Sequence, residues 1–205
     1  MTPPWAVGLV ALAVACATPV LTQTLPAAEG RSVQLVSVAP PRTALSAQVA
    51  SSGNGQNDSD AGEVVVAQLL EALNRSGRYE AISPAEVRTA LRGAGISPAT
   101  ATPAAVGRVV QQAFGADSVL FLEVRRYLPR RGGKRGAVQP ASVWFELNLR
   151  APDGTLLWKG SYDETQQGLT DDLLGLQRAV ARRFRWVSSE ELSAYGASEL
   201  VERMP

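Results

Sequence analysis

The chain has no histidine at all. That removes the commonest general base, the usual catalytic triads and most zinc sites. It has a single cysteine, which excludes an internal disulfide framework and any CxxC redox or metal site. Neither sign of charge dominates: 20 basic residues stand against 19 acidic ones, a formal +1. No global field therefore selects nucleic acid or acidic substrates. Aromatics make up only 6% of the 205 residues, but 45% are hydrophobic, enough to build a core and to exclude wholesale disorder. GxSxG, Walker A and GxGxxG patterns are absent, so no cofactor or phosphate-cradling motif presents itself.

The longest apolar run, Trp5 to Ala17, is shorter than the roughly 20 residues a spanning helix needs. Its length suits the hydrophobic region of a signal peptide. The lone Cys16 follows Ala13-Val14-Ala15 directly. This arrangement resembles the lipobox of bacterial lipoproteins, in which a small residue precedes a cysteine that becomes acylated and N-terminal. The family usually has Leu three places before the cysteine; here Ala13 holds that place and Leu12 precedes it. Two other readings stay open: an A-x-A site for ordinary secretion, and a small buried hydrophobe. Met1 to Pro4 carries no Lys or Arg, unlike a usual signal-peptide start, which leaves room for a start upstream of Met1. Residue 17 is Ala where an Asp would resemble the inner-membrane retention signal of enteric lipoproteins. The resemblance therefore implies the outer membrane and a palmitate-type lipid anchor.

The expected organisation is residues 1–15 as signal peptide, 16–31 as lipidated cysteine and tether, and 32–205 as one periplasmic domain. Fully extended, the tether would reach at most about 50 Å. Val33 to Val38 reads as a strand stopped by Pro40-Pro41. A polar stretch from Ser51 to Asp60 precedes a helix with Val66, Leu69, Leu70 and Leu73 at helical spacing. Asp60 and Glu63 are spaced like a capping box at its start. Tyr79 to Ile82 is a short strand. Ser83-Pro84-Ala85-Glu86 starts a second helix, and Thr102-Pro103 a third that closes at Gly115. Val119 to Leu122 is apolar on both faces and suits a central strand. In the strand Val143 to Leu149, Val143, Phe145, Leu147 and Leu149 face one side, and Trp144, Glu146, Asn148 and Arg150 the other. Pro152-Asp153-Gly154 turns the chain into Leu156 to Tyr162. Thr170-Asp171-Asp172 and Ser188-Ser189-Glu190-Glu191 each start a helix. The order predicts an α/β domain, a mixed sheet of about five strands with helices packed on it.

The segments SGRYEAIS (76–83), AFGADSVLFLEV (113–124) and LNLRAPDGTLLWKGSYDE (147–164) carry a resemblance. It is to the small periplasmic α/β domain of bacterial lipoproteins related to the curli secretion lipoprotein. The lipoprotein activator of penicillin-binding proteins and the amino-terminal domain of TolB share that fold type. The resemblance implies a non-enzymatic role in assembling or regulating an envelope machine. It also implies envelope proteins as partners, and self-association into a ring as some relatives do. The chain departs from the curli channel in lacking a pair of alternating lipid-facing strands, and from the activator in its short tether.

Arg125, Arg126, Arg130, Arg131, Lys134 and Arg135 form a basic segment with no acidic interruption, placed near the tip of the hairpin between Phe121 and Trp144. It reads either as an anion-binding finger, for lipid head groups, anionic glycans or an acidic partner surface, or as a solvated loop. Trp144 reads either as an exposed anchor for a partner or as a residue covered by a helix. Nucleic acid is not expected as a partner of a secreted chain. Arg178, Arg182, Arg183 and Arg185 sit late in a helix, where cations offset the macrodipole. Asp171-Asp172 and Glu190-Glu191 could be paired for hydrolysis, but each follows a Thr or Ser cap, which favours capping. The spacing of Asn57, Asp58, Asp60 and Glu63 fails the EF-hand pattern. No catalytic residue and no metal ligand is therefore expected. The leading expectation is a membrane-anchored periplasmic interaction module; the alternative is a soluble secreted module that binds an anionic ligand or partner. If Leu156 to Tyr162 lies at the sheet edge, it would pair between copies.

Overall fold

The computed structural model describes residues 20–43, 58–133, 136–166 and 187–205. Cys16, Asn57, Lys134, Arg135, Asp171, Asp172 and the Arg178–Arg185 cluster lie outside them. The described strands are β1 (Val20–Thr24), β2 (Leu35–Val38), β3 (Arg42–Thr43), β4 (Glu80–Ile82), β5 (Ser118–Leu128), β6 (Arg131–Gly133), β7 (Gly136–Gln139), β8 (Ser142–Arg150) and β9 (Leu156–Thr165). The described helices are α1 (Asp58–Ser76), α2 (Pro84–Gly93), α3 (Pro103–Phe114) and α4 (Ser189–Glu202).

Seven strands make one mixed sheet in the order β1-β9-β8-β5-β2-β4, with β3 also pairing β5. The β4-β2-β5 part is parallel and the β5-β8-β9-β1 part antiparallel. The two halves have different causes. Strands joined through helices must cross over and come out parallel, whereas the tight Pro152-Asp153-Gly154 turn forces β8 and β9 antiparallel. In that turn Gly154 takes φ 93° and the Asp153 carboxylate accepts the Thr155 amide at 2.8 Å. That bond holds the Asp153 carboxyl below its usual pKa.

Two apolar clusters cover the two faces of the sheet. On one face α1 and α4 pack side by side on Val36, Val38, Leu120, Leu122, Phe145, Leu147 and Tyr162. The helical spacing of Val66, Leu69 and Leu73 supplies the α1 side, all buried. Two close approaches depend on missing side chains. A Cβ on Gly196 would lie 2.5 Å from the Tyr162 ring, and one on Gly160 2.5 Å from the Trp158 ring. On the other face α2 and α3 cover only the parallel end, through Val87, Leu91, Val106 and Val110 against Ile82 and Val119.

The expected helix starts at Ser83, Thr102 and Ser188 are present. Ser83–Glu86 and Ser188–Glu191 form reciprocal capping boxes, Thr102 accepts the Ala105 amide, and Gly115 ends α3 at φ 73°. Asp60 does not cap α1, because the helix already begins at Asp58.

One expectation needs correction, and one condition left open is decided. The first concerns the tether. Residues from Val20 onward are part of the fold: β1 pairs along β9 from Val20↔Tyr162 to Thr24↔Trp158, and Val20 and Ala28 are buried. In sequence the segment resembles a linker because only Val20 and Ala28 of it turn inward, so no period shows. The second concerns the edge. β9 has β8 on one side and β1 on the other, so it is interior, and β1 is the edge strand among the described residues. β1 and the two-residue β3 together raise the count from about five to seven.

The three segments that carry the family resemblance have structural duties. Arg78 donates to the Met204 and Val201 carbonyls, Tyr79 Oη donates to the Pro205 carbonyl, and together they hold the C-terminal end of α4. Asp117 accepts the Gln34 and Leu35 amides at 3.2 and 3.0 Å, and so starts β2 beside β5.

Candidate interaction surface

Alternation along β8 places Trp144, Glu146, Asn148 and Arg150 on the face opposite α1 and α4. Among the described residues no helix packs on this face beyond the parallel end. Cross-strand register then fixes its rows. One row reads Arg126–Trp144–Asp163, the next Glu123–Glu146–Ser161–Leu21, and the next Phe121–Asn148–Lys159–Gln23.

A β-bulge sets the chemistry of this face. The register of β5 against β8 shifts between Val124 and Arg126, which leaves Arg125 as the extra residue. Strict alternation would send Arg125 and Arg126 to opposite faces; the bulge lets both serve the same one. Arg125 reaches Glu123 at 3.1 Å and Glu146 at 3.4 Å. Those two glutamates are direct cross-strand partners, so the guanidinium separates two like charges that would otherwise repel. Arg126 pairs with Asp163, donates to Ser142 Oγ at 2.6 Å, and lies over the Trp144 ring at 5.8 Å from its centroid. Trp144 is half-buried.

The six-cation segment therefore divides in two. Arg125 and Arg126 are committed to carboxylates from neighbouring strands. Arg131 begins the separate β6–β7 ribbon and Arg130 directly precedes it, with Lys134 and Arg135 beyond the described residues. Sequence reading placed Glu146 on this face but missed Glu123 and Asp163 as members of the surface, and missed the pairing of Glu146 with Arg125. Alternation carries a signal for each, but a bulge and a strand register are set by pairing, which no single strand records.

Next to this surface, β1 and β9 bound a hollow of about 310 Å³ lined by Leu21, Gln23, Glu146, Asn148, Lys159 and Ser161. Leu21 is 69% exposed, the most exposed large hydrophobic side chain among the described residues. A second cleft, of about 520 Å³, lies where β2 ends and the chain turns toward α1, between Pro40, Pro41, Arg42, Glu63, Arg88 and Pro98. Its cations are engaged as well: Arg42 donates to the Ala101 carbonyl at 3.0 Å and Arg88 pairs with Glu63 at 3.4 Å.

Glu190 and Glu191 do not face each other across a cleft. Glu191 closes the capping box of α4, and Glu190 accepts from Gln68. Burial, and then the Glu190 charge, push the Tyr127 phenol up to about 12. Among the described residues no group of three or more His, Cys, Asp or Glu side chains gathers at a metal-sized point. No described helix is long and apolar enough to cross a membrane.

No family model matches the chain, and no curated protein matches it. Among solved structures, a point variant of the PelC dodecamer from Paraburkholderia phytofirmans superposes with a TM-score of 0.51 at 12% identity, covering 89% of this chain and 95% of that one. Lipoprotein GNA1162 from Neisseria meningitidis gives 0.46 at 20% identity over 74% of this chain and 97% of that one. The LpoB C-terminal domain from Escherichia coli gives 0.44 at 17% over 69% and 90%. The likeness to PelC is one of fold alone, and the other two overlap too loosely to add to it.

Proposed function

We propose that this chain is a lipid-anchored periplasmic protein that works by binding other proteins of the cell envelope, without catalysis. Acylation at Cys16 supplies the anchor, on the periplasmic face of the outer membrane. The observation that carries the reading is the sheet surface left uncovered by α2 and α3, where Trp144, Arg126 and the Arg125 cluster lie beside β1, the edge strand among the described residues. Fixed aromatic and guanidinium groups on a rigid sheet suit a protein contact, since Trp and Arg are enriched among the residues that dominate interfaces. The fold shared with a dodecameric protein supports a second copy of this chain as one partner.

Self-association would use β1. An edge strand presents unpaired N–H and C=O groups that a second strand can extend. Leu21→Lys places a charge on that edge, and Trp144→Ala removes the aromatic from the neighbouring surface. Light scattering on the purified full chain, and cross-linking in membranes, test the two contacts separately. Loss of the oligomer with Leu21→Lys and loss of envelope cross-links with Trp144→Ala is the expected result. A chain that is monomeric at all concentrations and yields no cross-linked partner would overturn the proposal.

A further inference from the structure

On the open sheet face, β5, β8 and β9 present the cations Arg125, Arg126, Arg150 and Lys159. Three of them are committed. Arg125 and Arg126 hold carboxylates, and Arg150 donates to the Gly154 carbonyl at 2.8 Å. Lys159 differs. It is exposed, and among the described residues its ammonium has neither a carboxylate nor a hydrogen-bond acceptor. Glu146 stands one row away, opposite Ser161, but its carboxylate turns to Arg125 at 3.4 Å. The register also explains the hollow beside β1. Ser161 is the small residue of its row, between Glu146 and Leu21, so the face dips there. Leu21 makes one wall of the space of about 310 Å³, and Lys159, Asn148 and Gln23 line the next row. The Asn148 and Gln23 amides and the Ser161 hydroxyl likewise have no hydrogen-bond partner among the described residues. Leu21 and Lys159 are diagonal neighbours on adjacent strands. Side chains placed so stand roughly 7–8 Å apart. Alternate side chains of an extended chain stand about 6.8 Å apart. The two spacings match. One ammonium suits one carboxylate, and the amides around it suit main-chain N–H and C=O groups. Phosphate fits poorly, since it favours an arginine fork and Glu146 lines the hollow.

We infer that this hollow receives an extended acidic segment of an envelope protein, its carboxylate on Lys159 and the apolar side chain two positions along on Leu21. The inference rests on the proposed role in binding envelope proteins and names the chemistry of one partner. Alternate side chains set the specificity of such a contact, as they do wherever an extended peptide meets a sheet. The hollow lies on the sheet face, so pairing of a second copy along the edge of β1 leaves it open.

The scarcity of lysine makes the test direct: only residues 134 and 159 are lysine, so in the full chain with Lys134→Arg, Lys159 is the one that remains. A carbodiimide joins an ammonium to a carboxylate where the two are in contact. Applied to native membranes, it should join Lys159 to an Asp or Glu of another envelope protein that has an apolar residue two positions away. Lys159→Arg keeps the charge but offers no amine to couple, so the adduct should vanish. The purified full chain is then titrated with the peptide acetyl-Thr-Glu-Thr-Leu-Thr-amide, and the amide resonances of Gln23, Asn148 and Ser161 are followed. They should move, with affinity about fivefold weaker for Lys159→Gln or for a peptide with Gln in place of Glu, and unchanged for Lys159→Arg. Ser161→Phe, which fills the hollow, should abolish the response, with circular dichroism confirming that each variant is folded. The inference is overturned by no peptide response, by equal binding of the Glu and Gln peptides, by a response that survives Ser161→Phe, or by no envelope adduct at Lys159. Adducts that join Lys159 only to Glu146 of its own chain overturn it as well, and adducts only to a second copy would assign the hollow to self-association instead. Envelope cross-links that depend on Trp144 while Lys159 forms none would sink this inference and leave the protein-binding reading standing; the absence of any envelope cross-link would sink both.

Discussion

Gly107 gives the sharpest test of how the helices sit on this sheet. It lies inside α3 and is buried. A Cβ built there would stand 2.2 Å from the Pro152 carbonyl oxygen and 2.7 Å from its carbonyl carbon and Cα. All three atoms are backbone, at the turn joining β8 to β9, so no side chain can swing aside. Gly107→Ala must push α3 off the turn. Overpacking of this kind costs about 1–3 kcal/mol or more, and alanine's better helix propensity returns about 1 kcal/mol. The rigid neighbour puts the cost at the upper end, for a net loss of about 2 kcal/mol. For a chain of this size that lowers Tm by about 4–8 °C. Gly93→Ala is the internal control: the same chemical change at the end of α2, with nothing within 4 Å of the new Cβ. It should leave stability unchanged or raise it by up to about 1 kcal/mol. Thermal unfolding by circular dichroism compares the two. If Gly107→Ala melts with or above Gly93→Ala, α3 does not rest on the Pro152 turn and the packing of that face is wrong.

Three further outcomes follow from the charges and caps. Arg125→Ala should destabilise by about 0.2–1 kcal/mol by leaving Glu123 opposite Glu146; adding Glu146→Gln should restore most of the loss, and urea unfolding of the four chains completes the cycle. Hydrogen bonds from the Ser83 side chain, then its backbone, hold Glu86 below its usual pKa. That contribution is present above the unfolded carboxylate pKa and is lost as pH falls through the lowered folded one; Ser83→Ala should move the Glu86 carboxyl resonance titration upward. Tyr127 has the opposite sign: its phenol is raised from 10.0 to about 12. The stability it contributes is complete below pH 10 and disappears as pH climbs through about 12, so Tyr127→Phe should flatten alkaline unfolding in that window and remove a step near pH 12 from the phenolate absorbance titration.

Much of the architecture was legible because local chemistry dictated it. S-x-x-E boxes at Ser83 and Ser188 satisfy orphan amides wherever they stand, and a DG pair at Asp153-Gly154 makes the same turn in any sheet. The β8 alternation likewise named its buried face correctly. What escaped depended on partners distant in sequence. β1 has one inward residue in five and is a strand only because β9 offers it an edge. Whether β9 lies at an edge stayed open in the sequence for that reason. The basic segment looked uniform because its carboxylates come from β8, β9 and the other side of a bulge. The duties of Arg78 and Tyr79 were equally hidden, since they hold residues more than a hundred positions away.

The measurement that bears most directly on the proposed function is intact mass of the chain extracted from its native membranes, for wild type and Cys16→Ser in parallel. The account predicts a mature chain beginning at Cys16 with a lipid-sized increment that vanishes in the variant, together with the membrane association. An unmodified chain starting near that position and recovered in the soluble fraction would contradict it.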